Sequence, residues 1–342
     1  MAIINGTGGA DTLNGTALAD EVHGLGGADT INGGAGNDRL YGEDGWDVLF
    51  GGDGNDTLDG GAGSDSMFGG AGNDILFGRA GGDYLNGGDG NDWVEGGTDI
   101  DSLRGAAGDD TVVGGDGDEF LGGDGNDLMV FRAVRDYRGA DDMTARANGE
   151  GGYNTLQVDL AAARSDGLAV DHVLVSSGGG GRFSVDAAAG TSHHHVADAS
   201  GIQSVSVAPD GPALRYDGHL GTASDAVQVT GTFWGDEFVG GPGRETAILN
   251  AGNDTAVLGT GGDRVSLGDG MDTAVLDKAQ AGVVNATVTD FDGAEDHLRI
   301  VGFAPGEVHV SVVAGDGTWL RATGEADVHL LGVFDDHGFV WA

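Results

Sequence analysis

GGAGNDRLYGEDGWDVLFGGDGNDTLDGGAGSDSMFGGAGNDIL, residues 33–76, carries an aspartate at every ninth position with a glycine-rich run before each. Asp38, Asp47, Asp56, Asp65 and Asp74 fall inside this stretch, and the register extends outward from it. Asp11, Asp20 and Asp29 precede it, and Asp83, Asp92, Asp101 and Asp110 follow without a slip. Glu119 is read as the thirteenth carboxylate; one residue is then lost, and Asp127 takes the fourteenth place. Two residues after each carboxylate comes an apolar side chain, from Leu13 and Val22 through Leu58 and Leu76 to Leu121 and Met129. Five residues before each stands a glycine, from Gly6 to Gly122. Three positions held in phase over so long a stretch mark an internal repeat.

A nine-residue unit leaves too few residues between turn signals for a helix. The segment "D-x-apolar-x" suits a short strand with one side chain pointing inward, and the Gly/Asn/Asp run suits a turn with positive φ. Two strands and two turns then make an 18-residue circuit, and circuits stack. Stacking sets carboxylates 18 residues apart about 4.8 Å from one another. One buried aliphatic side chain contributes about 2 kcal/mol, whereas ordering nine residues costs roughly 9–18 kcal/mol, and stacked carboxylates repel. A hard divalent cation reverses this balance. Calcium accepts six to eight oxygens from carboxylates and backbone carbonyls in tolerant geometry. The aspartates are therefore read as calcium ligands, on the order of ten ions per chain.

The nonapeptide resembles GGxGxDxUx, the calcium-binding unit of the RTX (repeats-in-toxin, hemolysin-type) proteins. GGDGNDTLD (51–59), GGAGSDSMF (60–68), GGAGNDILF (69–77) and GGDGNDWVE (87–95) match it fully. The resemblance implies an all-β, parallel β-roll, a right-handed β-solenoid in which each calcium sits between same-side loops of successive turns. Asp29 would then share ions with Asp11 and Asp47, and Asp56 with Asp38 and Asp74. Departures stand out. Leu18 replaces a loop glycine before Asp20, Asp99 replaces one before Asp101, and GEDGWD and GRAGGD lose the second glycine.

A second, more degenerate block carries Asp236, Glu245, Asp254, Asp263 and Asp272, again nine apart. Of these, Asp236, Asp254, Asp263 and Asp272 are taken as further calcium ligands, with fewer ions than in the first block. The expected organisation is a first β-roll over 1–130, a β-rich intervening segment over 131–224, a second roll over 225–276, and a C-terminal β cap with an export signal over 277–342. The intervening segment reads as strands at NTLQVDL, LAVDHVLVSS, RFSVDAA and IQSVSVA. DFDGAEDHL (290–298) lacks the spacing of an EF-hand and reads as a capping hairpin. The tail DDHGFVWA reads either as an export signal, by family resemblance, or as a final edge strand.

Composition bounds the rest. Asp+Glu 56 against Lys+Arg 15 gives a net charge of -41, and Gly 71 is about a fifth of the 342 residues. Such a chain lacks the basic footprint that nucleic acid requires. Cysteine is absent, and no apolar run approaches 18 residues, so no transmembrane segment or ordinary signal peptide is expected. HExxH and GxSxG are both absent, and no catalytic residue is assigned. His193–His195 read as a polar loop, with a transition-metal site as the other reading. The expectation is a non-enzymatic, secreted or cell-surface calcium-binding protein. It would be exported leaderless through type I machinery, with a surface polysaccharide or matrix as candidate partner. A pore-forming or host-interacting protein, and a polysaccharide-active one with its activity in 131–224, are the alternatives.

Overall fold

The computed structural model describes residues 1–115, 117–132, 145–151, 153–159, 172–177, 183–189, 192–200, 204–207, 213–217, 227–259, 261–277, 285–292, 295–301, 308–314, 319–320, 326–333 and 339–341. Among them there is no helix. The chain divides into two compact units, residues 1–166 with 196–202, and residues 167–195 with 203–342.

In the first unit each nonapeptide folds into a strand of up to seven residues and a tight turn. Every strand pairs in parallel with the strand one circuit away. Thr57–Ala62 lies between Arg39–Gly45 and Ile75–Ala80, with Leu58 opposite Leu40 and Leu76. Ser66–Ala71 lies between Val48–Asp53 and Tyr84–Asp89, with Met67 opposite Leu49 and Leu85. Two parallel sheets thus alternate along the sequence, as a β-roll requires. Alternation within a strand puts the aspartate, the apolar residue and the glycine four residues beyond the aspartate on the inner face. Asp56, Leu58 and Gly60 are buried, while Thr57 and Asp59 are half-buried. The core is two columns of single side chains, joined near the far end by Val113, Val130, Phe131 and Val158. Leu40, Leu58, Leu76, Val94, Val112, Met129 and Leu156 fill one, and Ile31, Leu49, Met67, Leu85, Leu103, Phe120 and Ala147 fill the other.

The asparagine of the GGxGND loops has its own task. The Asn55 N–H donates to Asn37 Oδ1 at 3.1 Å, Asn73 N–H to Asn55 at 2.9 Å, and Asn91 N–H to Asn73 at 3.0 Å. This exposed ladder continues through Asp109 and Asn126 to the Tyr153 N–H. The loops of the opposite side carry Trp46, Ser64, Gly82 and Ile100 at that position, and Trp46 is 74 % exposed.

The single deletion lies within the loop that precedes Asp118. Ser102–Ala107 pairs with Glu119–Asp124 so that Leu103 faces Phe120 and Arg104 faces Leu121, a shift of 17 rather than 18. Phe120, not Leu121, therefore enters the core.

In the second unit the same parallel register holds from Gln228–Thr230 through Thr246–Ile248 and Arg264–Ser266 to Asn285–Asp292. It holds likewise from Ala213–Asp217 through Glu237–Val239, Thr255–Val257 and Thr273–Asp277 to His297–Val301. DFDGAEDHL is thus part of another parallel circuit and not the expected hairpin. The circuit register lengthens from 18 to 23 by Val288 and to 24 at Leu298, so this stretch itself adds one residue without changing strand direction. Here Ala247, Ala256 and Ala274 take the apolar position, and Leu249, Leu258 and Leu276 bury two residues later, where the first block has glycine. The unit also contains an antiparallel pair, His172–Ser177 with Phe183–Ala189. The expected strands of the intervening segment are present at Thr155–Asp159, His172–Ser177, Phe183–Ala189 and Ser204–Val207. His193–His195 lie in a strand, Ser192–Ser200, rather than a loop. From the tail, Phe339–Trp341 pairs in parallel with Leu298–Ile300; the rest of DDHGFVWA lies outside the described residues.

Three substitutions test this architecture. Leu58→Ala, in mid-column, should cost about 2–5 kcal/mol, whereas Leu13→Ala, half-buried in an early strand, should cost well under half of that. Denaturant titration of both variants under conditions that fold the native protein measures the difference. Ala106 holds φ at 89°, a conformation that penalises a Cβ. Ala106→Gly should stabilise by about 1 kcal/mol or less, the strain relieved minus the entropy glycine adds to the unfolded chain. A lowered denaturation midpoint would contradict this.

Candidate metal centres

The aspartates leave each turn pointing inward, and they form two columns in the first unit. Each backbone N–H donates to Oδ1 of the aspartate one circuit on. Asp20 donates to Asp38, Asp38 to Asp56, Asp56 to Asp74, Asp74 to Asp92 and Asp92 to Asp110, all at 2.7–2.8 Å. Asp110 then donates to Asp127 at 3.1 Å. The second column runs Asp11, Asp29, Asp47, Asp65, Asp83, Asp101 and Asp118 at 2.7–2.8 Å. From Asp20 to Asp127 every one of these carboxylates is 1–3 % exposed.

One oxygen of each is thereby satisfied; the other divides the loops into two classes. Oδ2 of Asp29, Asp38, Asp47, Asp56, Asp65, Asp74, Asp83, Asp92, Asp101, Asp110, Asp127, Asp254 and Asp272 is buried without a hydrogen-bond partner. In all thirteen loops the residue four before the aspartate has positive φ, including the non-glycine residues Leu25, Glu43, Arg79, Ala106 and Asn250. In the other class that residue, or its neighbour, turns its N–H onto the second oxygen. Thr7 donates N–H and Oγ1–H to Asp11 Oδ2 at 2.6 and 2.8 Å, and Thr16 does the same to Asp20 Oδ2 at 2.7 Å each. Gly115 closes Asp118, Thr232 closes Asp236, Gly241 closes Glu245, Gly259 closes Asp263 and Asp292 closes Asp296.

An unpartnered buried acceptor costs about 1–3 kcal/mol, and more when charged. Thirteen of them constitute a demand for positive charge. Backbone oxygens share the space. A Cβ on Gly33 would sit 2.6 Å from Asp38 Oδ2 and 2.6 Å from the Gly51 carbonyl oxygen, so carboxylate and carbonyl approach the same point and only glycine fits there. Among the described residues no three histidine, cysteine, aspartate or glutamate side chains converge on one point. A cation here would take few carboxylates, with carbonyls completing an all-oxygen shell. That donor set suits calcium and excludes the soft transition metals.

The protonation equilibria agree. Burial pushes Asp56, Asp65, Asp74 and Asp92 up to about 6, against the pull of the N–H bond from the preceding aspartate. Repulsion from neighbouring carboxylates adds to burial at Asp83 and Asp110, which reach about 7, and at Asp101 and Asp254, which reach about 8. Glu245 is also pushed to about 8 by burial and by Asp263 beside it.

Asp118, not Glu119, is the column member. Asp118 is 1 % exposed and accepts the Asp101 N–H, whereas Glu119 is exposed at the start of the next strand. The signals were present in the sequence: Asp118 is nine residues before Asp127 and two before Phe120. Asp11, Asp20, Asp236 and Asp263 occupy the columns but are satisfied by their own loops. Asp296 was missed because the longer loop breaks the nine-residue count; it accepts the Asp272 N–H at 3.1 Å. The side chains of His193–His195 lie outside the described residues.

The RTX calcium-binding nonapeptide repeat, in its four-copy form, matches residues 5–40, 23–58, 50–85, 59–94, 86–121, 95–129 and 239–274. No curated protein matches the chain.

Raised carboxylate pKa values have a definite sign. The ion-free fold binds protons more tightly than the unfolded chain, so its stability falls as pH rises through about 6–8 and is fully gained only near pH 4. In chelator, the protein should therefore retain more β signal at pH 5 than at pH 8. In calcium the order of stability should reverse, because the ion competes with those protons. Circular dichroism in chelator and melting curves in calcium, each at both pH values, check both signs.

Proposed function

We propose that this chain, an RTX calcium-binding nonapeptide repeat protein, is an exported protein whose roll is a calcium-driven folding switch. Its role outside the cell is read as non-enzymatic. The observation that carries the reading is the set of thirteen buried, unpartnered carboxylate oxygens in two regular columns and one short one.

Residues 1–130 hold 26 carboxylates against three arginines. Without calcium this charge, with one aliphatic side chain per nonapeptide, favours an expanded chain. An expanded chain suits passage through a narrow export channel of the type I kind. Outside, calcium at about 10⁻⁴–10⁻³ M lies in the range that extracellular modules bind. Each ion brings two positive charges to a column where like charges crowd, so binding and folding become one event. Calcium supplies no chemistry beyond charge and coordination. The chain's own part is to fix the carboxylates by N–H donation from the previous rung and to exclude water with the aliphatic columns. A cell-surface polysaccharide or matrix is the partner this reading favours, since the acidic surface disfavours nucleic acid.

Circular dichroism tests the switch. The expected outcome is little β signal in chelator, a cooperative gain in millimolar calcium, and a weak response to millimolar magnesium, which holds its waters and demands octahedral geometry. Metal analysis should then find on the order of ten calcium ions per chain. A full β signature in chelator would overturn the proposal.

A further inference from the structure

The far end of the longer column is not an aspartate. Asp127 donates its N–H to Asn154 Oδ1 at 2.8 Å, the contact that every earlier rung makes with a carboxylate. Asn154 is 0 % exposed. Its Nδ2 stands where the aspartates carry Oδ2, and it donates to the carbonyls of Gly149 at 2.8 Å and Gly151 at 2.6 Å. These carbonyls belong to its own loop, five and three residues before it. The loop has the receptive backbone shape, since Glu150, four residues before Asn154, has φ at 57°. An aspartate at 154 would set a carboxylate oxygen against two carbonyl oxygens with nothing positive between them. The amide supplies the positive partner that the thirteen open loops lack.

The other column ends are closed by different chemistry with the same result. Thr7 and Thr16 satisfy Asp11 and Asp20 where the two columns begin, and Gly115 satisfies Asp118 where the shorter one ends. In the second unit, the column of Asp254 and Asp272 begins at Asp236, closed by Thr232, and ends at Asp296, closed by Asp292. Three loops that open a column thus share the sequence Gly-Thr-x-x-x-Asp, at 6–11, 15–20 and 231–236.

We propose that each ladder with open loops is terminated at both ends by a loop that needs no cation: a Gly-Thr loop where it begins and, at the far end of the longest, an asparagine whose amide replaces ion and second carboxylate oxygen together. The inference rests on the calcium reading above. It deepens that reading by assigning which loops refuse the ion. The terminators limit the ion count, and they leave the ladder ends with satisfied hydrogen bonds at low calcium. The ends can then serve as ordered templates on which the ion-requiring rungs add.

Gain of an ion is the test. Native protein, Asn154→Asp and the double variant Thr16→Gly/Leu18→Gly are saturated with calcium, dialysed to a fixed free concentration and assayed for bound calcium per chain. Circular dichroism is recorded on each, with calcium and in chelator. Asn154→Asp opens the far terminator by one side chain. The double variant converts GTALAD to a receptive GGAGAD. Each should bind one calcium more than the native chain, and Asn154→Asp should need more calcium to reach half its β signal. Should Asn154→Asp fail to fold in calcium, the double variant decides. Folded variants that bind the native number would overturn the terminator assignment while leaving the calcium reading intact. A native chain that binds no calcium would overturn the calcium reading, and the assignment with it.

Discussion

The structure depends on what happens to one oxygen atom per loop. A parallel stack with an 18-residue circuit brings each aspartate under the N–H of the one before, which fixes Oδ1 and leaves Oδ2 facing inward. Once that geometry repeats, the second oxygen cannot reach water, and a glycine and a backbone carbonyl crowd the space beside it. Every other regularity of the repeat follows from it. The glycine five residues back is there because Oδ2 fills the place of its Cβ. The positive φ one residue later keeps a backbone N–H from quenching the carboxylate. The aliphatic residue two positions on keeps the column dry. A single change at the residue four before the aspartate, from left-handed backbone to an inward-turned N–H, converts a site that demands a cation into one that refuses it.

Such a roll is stable only conditionally. A domain with a wide core offsets chain entropy by burying several large side chains per element, whereas here each strand of the first unit from Val22 to Leu103 buries one. The asparagine ladder and the strand pairing satisfy the backbone without supplying a surplus, because hydrogen bonds to water are lost in exchange. The remaining deficit is electrostatic and localised, so it is met by a ligand of the right charge rather than by more hydrophobic area. That is the physical basis for coupling a folded state to a calcium concentration.

Much of this was legible in the sequence, because the repeat ties chemistry to a count of residues. Asp56, Leu58 and Gly51 occupy the places that periodicity assigned them, and the parallel 18-residue circuit follows from counting alone. Three kinds of information were not legible that way. A deletion inside a loop can be placed on either side of a carboxylate; Glu119 preserved the count while Asp118 preserved the burial of Phe120. Hydrogen bonds within a loop are invisible to a count, so Asp20 looked compromised by Leu18 when its second oxygen is held by Thr16. A changed loop length ends the count altogether, which hid Asn154, 27 residues beyond Asp127, and Asp296, 24 beyond Asp272.

The two units solve the same problem in different proportions. Among the described residues of the first, eleven carboxylates carry an unpartnered oxygen, and from Val22 to Leu103 the core gains one aliphatic side chain per strand. Among the described residues of the second, Asp254 and Asp272 do so. There the buried pairs Ala247 with Leu249, Ala256 with Leu258, Val265 with Leu267 and Ala274 with Leu276 place a second apolar group where the first unit has glycine. Each added leucine contributes roughly 2 kcal/mol of burial, and each closed loop removes an unsatisfied acceptor. The second unit therefore leans on packing where the first leans on charge compensation. The degeneracy of its repeat is then not decay of the motif but a different balance of the same two terms. The second apolar side chain does not by itself close a loop: Asp254 and Asp272 keep an unpartnered oxygen in strands that bury Ala256 with Leu258 and Ala274 with Leu276.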